Sequence, residues 1–200
     1  MNKFTQDDQS DFLIHLVGKD ESYTTFMNIL SQGRIKSINA FGFNRMKHGK
    51  LSICFSEIPP VFIKKLVKRR ANYGIAFKKS WLQEKGAQRI WYIEKNSKLH
   101  SSLVNISNEL SVLIQDEFNN LAPFIDVSGD YGTSSYRFEW EREWRLIGDL
   151  SFTPDDVEFL ILPGKDHDAA REFFADAELD GIGPNYNCPY YDPTTDYLCE

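Results

Sequence analysis

Phe138-Glu139-Trp140-Glu141-Arg142-Glu143-Trp144-Arg145 alternates charged and aromatic side chains within a run, Tyr136 to Ile147, that reads as one long strand. On a strand, successive side chains point to opposite faces. Glu139, Glu141, Glu143 and Arg145 would then share one face, and Trp140, Arg142 and Trp144 the other. Three carboxylates in a row repel one another unless something cationic lies against them. Arg145 can serve one, and a ligand cation or hydroxyl another. Crowding of this kind raises a carboxylate pKa and prepares general acid/base chemistry. The competing reading is a structural one, in which the face is cross-paired with lysines and Glu143 simply pairs with Arg145.

Working outward, the chain mixes helices and strands without internal repeat or linker. Ser22 opens a helix that carries Phe26, Ile29 and Leu30 on one side and ends at Gly33. Arg34 to Ser37 reads as a short strand, Ala40 to Lys50 as a loop, and Leu51 to Ser56 as a strand buried on both faces. A second helix begins at Pro60, which suits a first helical position, and shows an Ile63, Leu66, Val67 stripe. Tyr73 to Lys78 is a strand, followed by a helix around Trp81 and Leu82 that stops at Gly86. Gln88 to Glu94 is one strand rich in residues that favour a pleated surface. Ser101 to Leu121 is the longest helix, with Leu103, Ile106, Leu110, Leu113, Ile114, Phe118 and Leu121 recurring every three or four residues. Asp126 to Ser135 reads as a loop, Val157 to Pro163 as a strand, and Asp166 to Ala177 as a helix capped by Asp166. Past Gly181 the chain is either packed by its aromatics or without order. The expectation is a single α+β domain over 1–200, with 164–200 an acidic helix and tail.

Composition narrows the class. The 200 residues include 15 Phe and are 42% hydrophobic, enough for a core. No apolar run approaches the ~20 residues of a membrane helix, and the N-terminal residues lack a signal peptide's apolar region, so a cytoplasmic location is expected. Cys54, Cys188 and Cys199 suit no disulfide framework, and His15, His48, His100 and His167 are scattered, so no metal site is expected. The net charge of −6 is unevenly spread. Residues 155–200 hold 12 acidic and 2 basic side chains, a local −10, which leaves +4 for residues 1–154. Lys64, Lys65, Lys68, Arg69, Arg70, Lys78 and Lys79 fall in a stretch, 58–83, without an acid. Such a stretch is either a solvated helix face or a place for a phosphate-bearing ligand.

Two further residues stand at strand ends: His15 in the apolar run from Phe12, and Ser56 in Cys54-Phe55-Ser56-Glu57-Ile58-Pro59. Taken in order with Tyr73-Gly74-Ile75-Ala76-Phe77 and Glu141-Arg142-Glu143-Trp144-Arg145, these segments resemble the AbiGi-type abortive-infection proteins and related divergent ADP-ribosyltransferase-like domains. The resemblance covers residues 12–163. It implies a split β-sheet fold with NAD bound as substrate in the cleft. His15 would contact the nicotinamide ribose, Ser56 would shape the nicotinamide side, and Tyr73 would offer an aromatic face. Glu143 would hold the ribose hydroxyl and the acceptor, and Glu141 would steer the acceptor. In such chemistry positive charge builds on the ribose, and a carboxylate on its hydroxyl stabilises that charge.

The first function expected is therefore NAD-dependent ADP-ribosyl transfer in antiphage defence or a toxin–antitoxin pair. The second is a non-enzymatic antitoxin or adaptor of the same fold that binds a nearby-encoded protein. A third, disfavoured by the overall acidity, is nucleic-acid binding through Lys64 to Arg70. Whether the chain is an enzyme stays open at this level.

Overall fold

Strand β1 (Phe12–Leu16) lies inside a nine-stranded sheet in the computed structural model, which describes residues 10–18, 22–59, 62–195 and 197–199. Helix α1 (Ser22–Gln32) follows it and ends at Gly33, whose φ of 56° is the left-handed conformation that glycine adopts without strain. Next come β2 (Arg34–Ile35), β3 (Asn39–Ala40), α2 (Arg45–His48), β4 (Leu51–Ser56), α3 (Ile63–Arg69), β5 (Gly74–Lys78) and α4 (Lys79–Glu84). The middle of the chain forms β6 (Gln88–Arg89), β7 (Trp91–Glu94), α5 (Lys98–Glu109), α6 (Val112–Leu121), β8 (Ile125–Tyr131) and β9 (Ser134–Tyr136). The last part supplies β10 (Glu143–Ile147), β11 (Leu150–Ser151), β12 (Val157–Ile161), α7 (His167–Leu179), β13 (Tyr190–Asp192) and β14 (Tyr197–Cys199).

The main sheet runs β14-β13-β12-β5-β1-β4-β10-β6, with β3 also paired to β4. A three-stranded sheet, β7-β8-β9, and a pair, β11-β2, complete an α+β domain with several sheets. The main sheet is covered on both faces, which is why Leu13 and Ile14 are both buried. Leu13 packs with Phe26, Phe55, Phe77 and Trp144 on one face. Ile14 packs with Ile63, Leu66, Val67 and Ala76 on the other. A third cluster, Phe43, Ile93, Leu103, Phe118, Ala122 and Ile125, ties the small sheet to α5 and α6. Among the described residues no helix is long and apolar enough to cross a membrane.

Several elements differ from the sequence reading, each for a local reason. The run from Tyr136 to Ile147 is not one strand. It makes a 3-10 turn at Glu139–Glu141, and Arg142 takes a positive φ of 46° before β10 starts. The Arg142 carbonyl there accepts the Glu57 N–H at 3.2 Å. Ser101 to Leu121 divides at Leu110, which is extended, and Ser111 becomes the N-cap residue of α6. Asp126 to Ser135 is not a loop but most of the β8–β9 hairpin; its serines and aspartates mask a strand that pairs with β7 from Trp91↔Ile125 to Glu94↔Ser128. Gln88 to Glu94 serves two sheets and breaks at Ile90. Ala40 to Lys50 contains α2, and Pro60 lies outside the described residues. Of the two readings of the tail, the packed one holds: Tyr186, Tyr190 and Tyr191 are buried, and β13 runs parallel to β12.

Candidate functional site

The three strands that carry His15, Ser56 and Glu143 are consecutive neighbours in the main sheet. The β4–β10 ladder runs from Ser56↔Glu143 to Ser52↔Ile147. In contrast, β1 joins β4 at the single register pair Ile14↔Ser56, whereas β1 and β5 pair over five residues. Beyond that pair, β1 and β4 part. A side chain bridges the gap: His15 Nδ1 donates to the Cys54 carbonyl oxygen at 3.0 Å. Since a carbonyl can only accept, Nδ1 carries the proton and Nε2 is left as an acceptor. Burial lowers the His15 pKa below 6.5, only partly offset by that hydrogen bond, so the imidazole is neutral at pH 7.

Two cavities open at the parting. One, of about 400 Å³, is lined by Ile14, Ser56, Arg70, Glu141, Glu143 and Arg145 among others. The second, of about 500 Å³, is lined by His15, Asn28, Gln32 and Ser52 among others. They share Leu16, Val17, Gly18, Phe41 and Cys54 along their common wall. Strand alternation explains the division: Ser56 and Glu143 stand opposite each other on one face, and His15 follows Ile14 and so faces the other way.

Two arginines pair the acids around the first cavity. Arg145 is fully buried; its Nε donates to Glu143 at 2.8 Å, and NH1 and NH2 reach the Pro123 carbonyl at 2.7 Å and Asp126 at 2.5 Å. Burial works against the Arg145 charge, but Glu143 and Asp126 outweigh it and raise its pKa. Tyr136 adds a hydrogen bond to Asp126 at 2.7 Å. Glu141, also buried, takes Arg70 Nε and NH2 on one carboxylate oxygen at 3.1 and 2.8 Å. Glu141 and Arg70 cancel, and Asp126, Glu143 and Arg145 together keep one negative charge. Burial, with Glu143 nearby, pushes the Cys54 thiol well up, away from the thiolate form that a nucleophile uses.

Ser56, Glu141 and Glu143 thus line one cavity, and His15 lines the adjoining one. Tyr73 lines neither: its hydroxyl donates to Asp166 at 2.8 Å and its ring lies against Tyr23 and Phe26. Asp166 accordingly makes no side-chain cap for α7. The three acids expected on one strand face are dispersed by the turn at Glu139–Glu141, so that Glu143 and Arg145 alone share the strand face and pair. Lys64, Lys65, Lys68 and Arg69 form an exposed helix face, with Lys65 and Arg69 5.3 and 5.0 Å from the Trp140 ring centre.

Two important acids have no role of their own in the sequence reading. Asp126 was hidden in an apparent loop. Glu57 is fully buried, where it meets Lys79 at 3.0 Å, Arg89 at 2.9 Å and Trp144 Nε1 at 2.8 Å. The available signal was its position, directly after a buried strand and before the apolar Ile58. Among the described residues no cluster of three or more His, Cys, Asp and Glu side chains is placed to hold a metal ion.

Fold and site together define a small α+β protein with a charge-paired cleft where two neighbouring strands part. The family model described as "Putative abortive phage resistance protein AbiGi, antitoxin" matches residues 36–173, well over half of the chain, and the chain belongs to this AbiGi family. No curated protein and no solved structure matches it.

Proposed function

We propose that this chain serves phage defence as an antitoxin, binding a toxin protein rather than turning over a substrate. The observation that carries this reading is the commitment of both cavity glutamates to arginines. A carboxylate stabilises a developing ribosyl cation through its negative field. Here a buried guanidinium lies 2.8 Å from Glu143, and Arg70 neutralises Glu141. The antitoxin description of the family points the same way.

The second reading is the ADP-ribosyltransferase-like one, with a split sheet and NAD as substrate. It is favoured by the adjacency of the His15, Ser56 and Glu143 strands and by the parting of the first two beside two cavities. Glu143 is held in place by Arg145 Nε at 2.8 Å, and its carboxylate suits a ribose hydroxyl. The donors suit a pyrophosphate less well, because Arg145 is engaged by Glu143, Asp126 and Pro123, and Arg70 holds Glu141.

The test is co-expression with the protein encoded by the adjacent gene. An antitoxin co-elutes with it and relieves its toxicity, and Glu143→Gln does so equally well. Nicotinamide release from NAD by the wild-type chain, lost in Glu143→Gln, would overturn the antitoxin reading and establish the enzymatic one.

A further inference from the structure

Helix α3 carries its charge in a pattern that works against its own stability. Lys64 with Lys68 and Lys65 with Arg69 are two like-charged pairs at i,i+4, a spacing at which side chains meet on one helix face and equal charges repel. All four are exposed, and among the described residues none of them is ion-paired. Arg70, the next residue, is the contrast, since it holds the buried Glu141 at 2.8 Å. Lys65 and Arg69 are drawn to one place, 5.3 and 5.0 Å from the centre of the Trp140 ring, which packs on the core cluster beneath α3. The ring attracts each cation, yet it brings the two together and supplies no charge to neutralise them. On the adjoining described segments the exposed acids are Asp11, just before β1, and Glu139, just before Trp140. Glu139 acts, after Glu94 and Asp130, to raise the Arg137 pKa. Even with both acids counted in full, the four cations keep a positive excess. A notch of about 230 Å³ opens beside them, lined by Ile58, Pro59, Phe62, Lys65, Trp140 and Arg142. It is smaller than the ~300–1,000 Å³ of small-molecule sites and suits a single side chain. Lys65 and Trp140 belong both to the notch and to the cation cluster, so the two form one continuous surface.

We infer that the α3–Trp140 face is the surface on which the partner protein docks, a step that rests on the antitoxin reading above. The partner presents an acidic segment that carries one apolar side chain. Its carboxylates meet the two rows of cations and relieve their repulsion, and the apolar group fills the notch beside Phe62, which is 51% exposed. An apolar anchor in a pocket with charge around it is the common build of a docking site. The cations steer the approach and set the orientation, and the anchor slows release. A nucleic acid fits this surface less well. The Trp140 ring, on which a base would stack, already holds Lys65 and Arg69. The chain as a whole carries −6, which repels a polyanion that runs past the four cations, whereas the acids of a protein surface are local.

The experiment titrates the full chain against the protein encoded by the adjacent gene, with wild type, Lys64→Glu, Lys64→Glu/Lys68→Glu, Phe62→Ala and, on α5, the exposed Lys98→Glu. Circular dichroism checks that each variant is folded. Lys64→Glu replaces a like-charge pair by an acid four residues before Lys68, so its melting temperature should equal or exceed that of wild type while its binding weakens. For Lys64→Glu/Lys68→Glu the Kd should rise at least about tenfold, mainly through slower association, and the wild-type association rate should fall as salt is added. For Phe62→Ala the rise should be about fivefold or more, mainly through faster release. Lys98→Glu should stay within about twofold, which separates this surface from a general effect of net charge. If wild type binds and Lys64→Glu/Lys68→Glu binds equally well, the surface is overturned while the antitoxin reading stands. If wild type does not bind at all, both fall. If the chain alone is a dimer that Lys64→Glu/Lys68→Glu converts to monomer, a second copy is the occupant and the proposal is overturned. Tight binding of a single-stranded or duplex oligonucleotide, lost in the same variant, would overturn it in favour of nucleic acid.

Discussion

Arg145 Nε donates to the Glu143 carboxylate at 2.8 Å, two residues back along the same strand. The pair is one end of a line, Glu143–Arg145–Asp126–Tyr136, that pins the β7–β9 sheet to the main one. Asp126 stands on β8 and Tyr136 on β9, whereas Glu143 and Arg145 belong to β10. The same guanidinium therefore joins two sheets and fixes the carboxylate that faces the cavity.

Removing Arg145 should be costly for that reason. Arg145→Met leaves Asp126 buried with the Tyr136 hydroxyl as its remaining hydrogen-bond donor in this line, and loss of one partner of a buried pair costs about 3–5 kcal/mol. Asp126→Asn in the Arg145→Met background should recover part of the loss, because the uncompensated charge is gone. Urea melts of the two single variants and the double variant provide the coupling energy. Additive losses would mean that Asp126 is not the principal partner.

Glu57 should behave as a structural anchor independent of any activity. It is fully buried between Lys79, Arg89 and the Trp144 indole. Glu57→Gln keeps an acceptor for Trp144 Nε1 but removes the charge, so a loss of about 2–3 kcal/mol is expected. The check is thermal or urea unfolding alongside Trp fluorescence, since the indole loses its ionic partner. A variant as stable as wild type, with unchanged emission, would refute this role.

Much of this was legible in the sequence where one pattern decided one element. The strand at Leu51 to Ser56 and the helices around Ser22 and His167 follow from apolar spacing and turn residues. Charged alternation misled, because Glu139-Trp140-Glu141 fits a strand pattern and a turn equally well, and a contact far along the chain decides between them. That contact is Arg70, whose pairing with Glu141 spans 71 positions. Asp126 was missed for the converse reason: a strand of serine, aspartate and glycine looks like a loop until Arg145 and Tyr136 satisfy its acid. The Ser101 to Leu121 stripe reads as one helix, but the chain breaks at Leu110 and leaves Leu113 and Leu121 exposed, because spacing alone does not say where a helix stops or what covers it.

Gly42 should be intolerant of a side chain, and its effect should reach the site. Its φ is 93°, and a Cβ there would lie 2.4 Å from the Ala122 carbonyl oxygen and 2.7 Å from Pro123 Cα and carbonyl oxygen. The Pro123 carbonyl is the one that receives Arg145 NH1. Gly42→Ala therefore strains the left-handed backbone and displaces an Arg145 acceptor, for a loss of at least about 1–2 kcal/mol. Denaturant unfolding measures it. In the Arg145→Met background the loss should shrink, because the displaced acceptor no longer serves a buried guanidinium.

His15 should make stability depend on mildly acidic pH. Burial lowers its pKa below the ordinary 6.5, so the folded chain binds this proton less readily than the unfolded one. Stability then rises with pH where the unfolded state holds more protons: the His15 contribution is complete above about 6.5 and is lost as pH falls below that value towards the folded pKa. His48 acts in the same sense, since burial lowers its pKa too, and its Nδ1 accepts the Lys50 N–H at 3.0 Å, a bond that protonation would break. A glutamine at position 15 can still donate to the Cys54 carbonyl but does not titrate. His15→Gln should therefore flatten part of the decline between about pH 6.5 and 5, and His15→Gln/His48→Gln most of it. Urea unfolding at a series of pH values measures the slopes; a His15→Gln curve parallel to wild type would show that the imidazole bridging β1 and β4 is protonated as easily in the folded chain as in the unfolded one.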